Sequence, residues 1–280
     1  SDTFAMEAIG ELACALYEKG NYDIRLEAAI AKMWNTETGW RIVDDTLQVR
    51  GGRGYEMAES LARRGELPIP IERAMRDFRI NLIFEGSSEI MRLFIAREAV
   101  DHHFALAFDI VNPKLSTKKK LKALGRAMPF YATWYPMRWS PAKQVRSYSG
   151  FGRLARHVRY IERDTRRLGR ALFHAMVRFG PKLEKRQMVL FRAVDIGAEL
   201  YAMSAACVRA KMLADGGNAR AIELADVFCR EARGRIEAKF DELYGKHDRA
   251  LYRLAMQVLS GEHAWLEEGI VSARQEAPGS

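Results

Sequence analysis

The sequence predicts an all-α protein made of two successive helical bundles. Along most of the 280 residues, apolar side chains recur three and four positions apart, which is the period of one face of an amphipathic helix. Glycines and prolines interrupt this period at intervals typical of bundle helices. No stretch shows the alternation of apolar and polar residues that a half-buried strand has. These observations favour helices packed on helices.

The first bundle is predicted to span residues 1–111 and to contain four helices. The helical period runs from Phe4 to Tyr17 and again from Ala28 to Leu47, with a break near Gly20. The pair Gly51-Gly52 ends the second helix, because consecutive glycines weaken a helix and permit a positive φ. An irregular loop is then predicted to continue to Pro70.

The third and fourth helices flank a short loop. One face is apolar from Ile71 to Ile83, and the same period resumes after Gly86. The apolar positions are Ile71, Met75, Phe78 and Leu82 in the third helix, and Ile90, Leu93, Phe94 and Val100 in the fourth. Glu85 therefore stands just before a glycine at the mouth of a helix, where it could reach a bound substrate.

Residues 112–150 are predicted to form a linker or an adaptable surface segment. The prolines that break the helical period there are Pro113, Pro129, Pro136 and Pro141. A second bundle over residues 151–280 follows. Within it, Gly180-Pro181, Gly216-Gly217 and Gly245 separate four helices that end at about Glu268.

The net charge of +9 comes from one region. Residues 112–170 hold 16 Lys or Arg against two acids, a surplus of +14, so the rest of the chain sums to −5. Aromatic residues lie among the uncharged positions between Arg126 and Arg138. Aromatics flanked by cations suit a membrane interface, and packing on the protein itself with a solvated basic face is an equal alternative. Nucleic-acid binding is a third interpretation, but we expect none because no recognised nucleic-acid fold is present.

Several protein classes are excluded. The N-terminal residues lack a basic start followed by an apolar run, and no stretch approaches 18 apolar residues, so neither a secretion signal nor a membrane span is predicted. Cys14, Cys207 and Cys229 lack metal-ligand spacing, which indicates reduced thiols in a cytosol-like compartment. The six histidines show no HExxH-type spacing, and we expect no metal site.

Three motifs occur in order within a short stretch. They are Gln48-Val-Arg-Gly51-Gly52-Arg-Gly54-Tyr55, Glu72-Arg73-Ala-Met-Arg76-Asp77 and Glu85-Gly86-Ser87-Ser88-Glu89-Ile90. Together they resemble the QxxGGxGY, ERxxRD and EGTxxI motifs of the C-terminal helical domain of acyl-CoA dehydrogenases, and three ordered motifs rarely coincide by chance. The part from Cys207 to Arg253 is similar in composition to the extra helical domain of the very-long-chain branch.

The resemblance implies that Glu85 is the catalytic base. It would remove the α-proton of an acyl thioester while the β-hydrogen leaves as hydride to flavin, giving a trans-2-enoyl-CoA. The family stabilises the thioester oxygen with the backbone N–H of this glutamate and a flavin ribityl hydroxyl. Gly86 is assigned to substrate binding. We expect an apolar environment that includes Phe84 to raise the pKa of Glu85 by desolvation; without the motifs, Glu85 would be read as a solvated acid at a helix start.

The resemblance also assigns residues to FAD. The predicted cofactor residues are Gln48, Val49, Arg50, Gly51, Gly52, Ser87, Ser88 and Glu89. The first group matches positions that contact the adenine-dinucleotide part, often of the neighbouring subunit's FAD, and the second matches residues beside the flavin. Ser87 replaces the family's usual threonine but keeps the hydroxyl, and the loop from Glu56 to Pro70 is longer than in the family. Arg73, Arg76, Asp77 and Arg92 are interpreted as structural ion pairs.

The implied partners are an acyl-CoA substrate, a second copy in a homodimer, and electron-transferring flavoprotein. In the family an N-terminal helical domain and a β-domain precede these motifs, so we expect a C-terminal portion that needs those domains to bind FAD and turn over. Long-chain substrates of fatty-acid β-oxidation are expected, in the cytoplasm or, in a eukaryote, the mitochondrial matrix, with peripheral association with the inner membrane as a further expectation. The alternative is a non-catalytic helical interaction or membrane-surface module that has kept the motifs.

Overall fold

The computed structural model describes residues 1–111, 114–140 and 148–267. All regular elements in these ranges are helical, and the all-α prediction is confirmed. The α-helices are α1 (Asp2–Glu18), α2 (Arg25–Arg50), α3 (Ala58–Arg63), α4 (Ile71–Arg79), α5 (Ser88–Val111), α6 (Thr117–Met137), α7 (Ala155–Phe179), α8 (Gln187–Asp215), α9 (Ala221–Asp241) and α10 (Asp248–Leu259). A 3₁₀ turn at Gly51–Gly54 follows α2, and another at Ile80–Leu82 follows α4.

The four helices predicted for the first part are present as α1, α2, α4 and α5. α1 and α2 bury Ile9 and Met33 in the core. α4 crosses α2 at Gly39, where a Cβ would lie 2.5 Å from Cζ of Phe78. A side chain of any size at Gly39 would therefore push α4, and the loop that follows it, away from α2.

One helix lies where the sequence predicted an irregular loop. Ala58–Arg63 forms α3, and its Leu61 is fully buried. The hydroxyl of Ser60 donates to the Glu56 carboxylate at 2.6 Å, and Arg64 pairs with the same carboxylate. A buried anchor and these local bonds make the long loop an ordered unit.

The predicted break in the helical period over residues 112–150 is wrong for its central part. Thr117–Met137 forms α6, with Pro129 and Pro136 inside it. An internal proline costs an isolated helix about 3 kcal/mol. Tertiary packing offsets this cost, because Trp134 contacts rings of α5 and α7. Pro113 and Pro141 lie outside the described residues, and the role of this segment as a linker or membrane surface stays a prediction.

The four helices predicted for the second part are present as α7 to α10, and residues 268–280 lie outside the described ranges. One buried cluster contains side chains from α1, α2 and α5 together with α7, α8 and α9. Trp34 of α2 meets Phe228 of α9 edge to face, with ring centroids 5.7 Å apart. The two predicted bundles therefore share a core, and the domain boundaries stay predictions.

The three cysteines are free thiols. Cys14 is exposed, whereas Cys207 and Cys229 are buried with their Sγ atoms 3.7 Å apart. Of the helices described, none has the length and apolar character needed to cross a bilayer.

Candidate active site

The predicted base lies on a loop with an unusual backbone conformation. Glu85 has a φ of +54° and Gly86 a φ of +90°. Within the described ranges, Glu85 is the one residue other than glycine with a positive φ. This region costs an ordinary residue roughly 1–2 kcal/mol, and such strain is concentrated at functional sites. The Glu85 side chain is exposed, so a ligand can approach its carboxylate.

Gly86 is required at its position for two reasons. Its positive φ disfavours other residues, and a Cβ would lie 2.6 Å from Sδ of Met91 on α5. The sequence argument that glycine leaves room and permits an unusual angle therefore describes Gly86 correctly. It did not foresee that Glu85 shares the positive φ.

Lys32 of α2 binds the same loop. Its ammonium donates hydrogen bonds to the carbonyl oxygens of Asn81 at 2.9 Å, Phe84 at 3.2 Å and Gly86 at 2.6 Å. Carbonyls at a helix end lack partners within the helix, and a lysine can satisfy them. Sequence reasoning missed Lys32, because it lies 49–54 residues from its partners and no local pattern signals the contact.

Ser87, Ser88 and Glu89 begin α5 directly after the loop. The Ser87 hydroxyl accepts the N–H of Ile90 at 3.4 Å, as a helix cap does. Hydrogen bonds from its own N–H and then from Ser87 lower the pKa of Glu89. Ser88 is buried, and its hydroxyl oxygen has no hydrogen-bond partner among the described residues. These three residues are brought together with Glu85 and Gly86.

The other predicted cofactor residues form a turn at the end of α2. Gly51 has a φ of +58°, and Gly51 and Gly52 have no heavy atom within 4 Å of where a Cβ would stand. Gln48 and Val49 are exposed, and Arg50 is half-buried. The turn thus presents bare backbone to the surface, which a phosphate group could approach.

The structure does not bring the two groups together. Lys32 contacts the Glu85 loop, and Gln48 lies 16 residues further along α2. At 1.5 Å per residue, this places Gln48 about 24 Å, and the start of the glycine turn about 28 Å, from Lys32 along the helix.

Apolar side chains surround the loop and the turn. The exposed ones are Val49, Tyr55, Ile80, Ile83, Phe84 and Ile90. Exposed apolar side chains near the loop, and others near the turn, are typical of surfaces that bind a ligand or a partner.

The arginines of the motifs form ion pairs. On α4, Arg73 pairs with Asp77 at 3.4 Å and Arg76 with Glu72 at 3.0 Å, one helical turn apart. Arg92 of α5 is mostly buried and binds carboxylates of two other helices. In the part of the chain that the structure describes, no cluster of His, Cys, Asp or Glu has the composition to hold a metal.

Comparisons with known proteins match both parts of the chain. Residues 2–100 match the family described as "Acyl-CoA dehydrogenase, C-terminal domain", and residues 152–263 match "ACAD9/ACADV, C-terminal domain".

Similar proteins carry names from the same family. The chain is 49% identical over 272 residues to the "Probable acyl-CoA dehydrogenase FadE10" of Mycobacterium bovis and of Mycobacterium tuberculosis, across 96% of this chain and 42% of theirs. It is 27% identical over 256 residues to the mitochondrial "Very long-chain specific acyl-CoA dehydrogenase" of Bos taurus, across 86% of this chain and 35% of that protein. The chain therefore spans about two fifths or less of the length of these relatives.

A solved structure from Bacillus anthracis has a similar fold. It is described as an acyl-CoA dehydrogenase complexed with FAD, and it is 25% identical to this chain with a TM-score of 0.59. The match covers 86% of this chain and 40% of the other.

Proposed function

This chain carries C-terminal acyl-CoA dehydrogenase domains, one at residues 2–100 and one of the ACAD9/ACADV type at residues 152–263, and we propose that it is the part of a FAD-dependent enzyme that supplies the catalytic base. The observation that carries the proposal is the exposed Glu85 carboxylate on a strained turn, directly before a glycine whose φ of +90° disfavours other residues. The reaction is oxidation of an acyl-CoA to its trans-2-enoyl thioester.

In this proposal Glu85 acts through its carboxylate and its backbone. The carboxylate takes the α-proton of the thioester. The Glu85 N–H donates no hydrogen bond to any described residue, so it can bind the thioester oxygen as negative charge develops there. FAD, when bound, accepts the β-hydrogen as hydride. Loss of the proton and the hydride leaves the double bond of the enoyl product.

The residues present fit FAD. The buried Ser88 hydroxyl beside the Glu85 loop has no hydrogen-bond partner among the residues that the structure describes, and the bare backbone of Gly51 and Gly52 can approach a pyrophosphate. Because Gln48 and the glycine turn lie about 24–28 Å from Lys32 along α2, we propose that Gln48 to Gly52 contact the FAD of a neighbouring subunit in a homodimer.

The substrate and the remaining partners follow from the relatives. We propose a long-chain acyl-CoA substrate, because the relatives include very-long-chain enzymes. An N-terminal helical domain and a β-domain would cover the apolar surface at Ile83, Phe84 and Ile90. Electron-transferring flavoprotein is the proposed electron acceptor.

The test replaces Glu85 by Gln in the polypeptide that includes the upstream domains. Under anaerobic conditions, a saturated long-chain acyl-CoA should bleach the flavin of the parent protein. The Glu85→Gln variant should bleach roughly a thousandfold more slowly, because the general base is lost. Glu59→Gln, which removes an exposed carboxylate of α3, should bleach at the parent rate.

The outcomes distinguish the proposed enzyme from the alternative of a non-catalytic module. Normal bleaching in Glu85→Gln would remove Glu85 as the base. A protein with the upstream domains that holds no FAD would favour the non-catalytic helical module. A series of thioesters from medium to very long chain then gives the preferred acyl length.

We propose a membrane surface on α6 as a second function. The aromatic residues between Arg126 and Arg138 include Trp134, which packs on the chain itself. Its ring contacts a ring of α7, and Arg138 lies over it with Cζ 4.7 Å from the ring centroid. The exposed apolar positions are instead Leu121, Leu124 and Met128, spaced three and four apart on one face of α6. Lys118 and Lys120 lie on either side of this face of α6 and suit anionic lipid headgroups.

Sedimentation with vesicles of anionic or neutral lipid tests this surface. Leu121→Ser/Leu124→Ser/Met128→Ser should reduce binding to anionic vesicles at least tenfold. The matched control is Leu251→Ser/Leu254→Ser/Val258→Ser on α10, where the exposed positions have the same spacing. Equal loss in both triple variants, or binding to an oligonucleotide but not to vesicles, would contradict a membrane role for α6.

A further inference from the structure

Lys32 makes an unusual set of contacts. Its ammonium carries three hydrogens and donates to three backbone carbonyls, those of Asn81, Phe84 and Gly86. Lys32 forms no ion pair with a carboxylate in the described ranges. Its charge is therefore matched only by peptide dipoles, and these lie on both sides of Glu85.

The contact with Phe84 fixes the direction of the Glu85 N–H. The carbonyl of Phe84 and the N–H of Glu85 belong to one planar trans peptide, in which C=O and N–H point in opposite directions. Because the carbonyl points at Lys32 of α2, the N–H points away from α2. The contact with Gly86 similarly fixes the orientation of the peptide bond that directly follows Gly86.

We propose that Lys32 is a positioning residue for the reaction. It holds the peptide bond before Glu85 and the one after Gly86, so that the N–H and the carboxylate of Glu85 both face the substrate. These contacts also maintain the positive φ at Glu85. This inference rests on the proposed role of Glu85 as the base and oxyanion donor.

Lysine suits this position better than arginine. A compact ammonium can direct three donors at carbonyls that converge from different directions, whereas a planar guanidinium presents its donors in one fork. The contact distances of 2.6–3.2 Å show that all three carbonyls are within hydrogen-bond range at once. A neutral side chain of similar length would leave the three acceptors without this donor.

The first experiment measures amide hydrogen exchange in the 280-residue chain and needs no cofactor. Ile83 and Phe84 donate their amide hydrogens to the Ile80 carbonyl, so they report on loosening of the loop. Lys32→Met should speed exchange of the segment 81–87 about tenfold, and Lys32→Arg should have a smaller effect. Arg41→Met, which removes a charge of the same helix whose guanidinium donates a hydrogen bond to Thr38, should leave this segment unchanged.

The second experiment measures flavin reduction in the FAD-loaded protein with the upstream domains. Lys32→Met should slow reduction by a saturating acyl-CoA roughly a hundredfold, as expected for a misdirected oxyanion donor. KM should change little, since the thioester still binds through the rest of the site. Lys32→Arg should recover part of the rate.

The two experiments separate the two proposals. Unchanged exchange in Lys32→Met would overturn the positioning role, whatever Glu85→Gln does. Faster exchange together with full activity of Glu85→Gln would keep the structural contact and reject the proposed function. If Lys32→Met does not fold, Lys32→Arg decides, because unaltered exchange and rate in that variant would contradict a need for three directed donors.

Discussion

At the residue scale, Glu85 is the point where the chain is strained. A glutamate at φ +54° is less stable than glycine would be there. Strain of this kind persists when the residue has a function that glycine cannot supply. The backbone at Glu85 therefore supports, independently of the motifs, the choice of this carboxylate as the functional group.

This strain gives a prediction about unfolding. Glu85→Gly should be more stable than Glu85→Ala by about 1 kcal/mol, because the left-handed penalty of alanine exceeds the entropic cost of glycine. Urea denaturation of the two variants measures the difference. At exposed Glu231 in the middle of α9 the order should reverse, with alanine more stable by about 1 kcal/mol. The same order at both positions would show that the loop relaxes on substitution.

At the scale of single elements, the contact between α2 and α4 depends on one glycine. Gly39→Ala places a Cβ 2.5 Å from Cζ of Phe78. We expect it to lower the free energy of unfolding by about 1–3 kcal/mol. Gly10→Ala in α1 meets no atom within 4 Å and should raise it by about 0.5–1 kcal/mol. Urea midpoints of the two variants check the signs, and a gain in both would mean that α4 moves freely.

A buried histidine between α7 and α9 should make the stability of the protein depend on pH. His157 is fully buried and contacts Asp226 at 2.8 Å. Burial lowers the pKa of His157, against the raising effect of Asp226. Below pH 6.5 the unfolded chain then binds more protons than the folded one, so stability falls as pH falls, by up to about 1.4 kcal/mol per pH unit.

Unfolding of the parent chain and of His157→Gln between pH 5 and about 7.5 measures this contribution. The parent should lose stability more steeply than the variant towards the acid side. Equal slopes would show that His157 does not titrate differently in the folded and unfolded chain. Asp226 adds a loss of the same sign at lower pH, since hydrogen bonds from Arg156 and His157 overcome its burial and lower its pKa.

The sequence predicted elements well where the period was local. α1, α2, α4 and α5 follow from apolar spacing, and glycine pairs mark the ends of α2 and α8. α6 was missed because Pro129 argues against a helix in the sequence, whereas contacts with the rings of other helices stabilise this helix in the folded chain. For the candidate site, the motifs pointed to Glu85 and Gly86. The hydrogen bonds of Lys32 depend on how α2 packs beside the loop, and no local sequence pattern contains this information.

At the scale of the whole molecule, Arg92 connects the two predicted bundles. It lies on α5 and binds Glu37 of α2 at 2.6 Å and Asp195 of α8 at 2.8 Å. Its side chain is 15% exposed, so the three charges are largely shielded from water. Without Arg92, the carboxylate of Glu37, which is 30% exposed, loses its partner, whereas Asp195 keeps the ammonium of Lys239 at 2.7 Å.

We therefore expect Arg92→Met to lower the free energy of unfolding by about 1.5–3 kcal/mol, the range for loss of hydrogen bonds to charged groups. Arg76→Met, which removes a 70% exposed side chain that pairs with Glu72 one turn away on α4, should cost less than about 1 kcal/mol. Chemical denaturation followed by tryptophan fluorescence compares them. A small effect of Arg92→Met would mean that water reaches Glu37 and Asp195 once the arginine is gone.

The length of α2 has a consequence for how this sequence can vary. Lys32 holds the Glu85 loop and Gly51 begins the exposed turn, and one uninterrupted helix runs from Lys32 to the residue before Gly51. Inserting or deleting a single residue between them would rotate the turn by about 100° and shift it by about 1.5 Å relative to the loop. Natural variants should therefore accept substitutions along this stretch but not gaps, with the spacing from Lys32 to Gly51 conserved even where the residues between them differ.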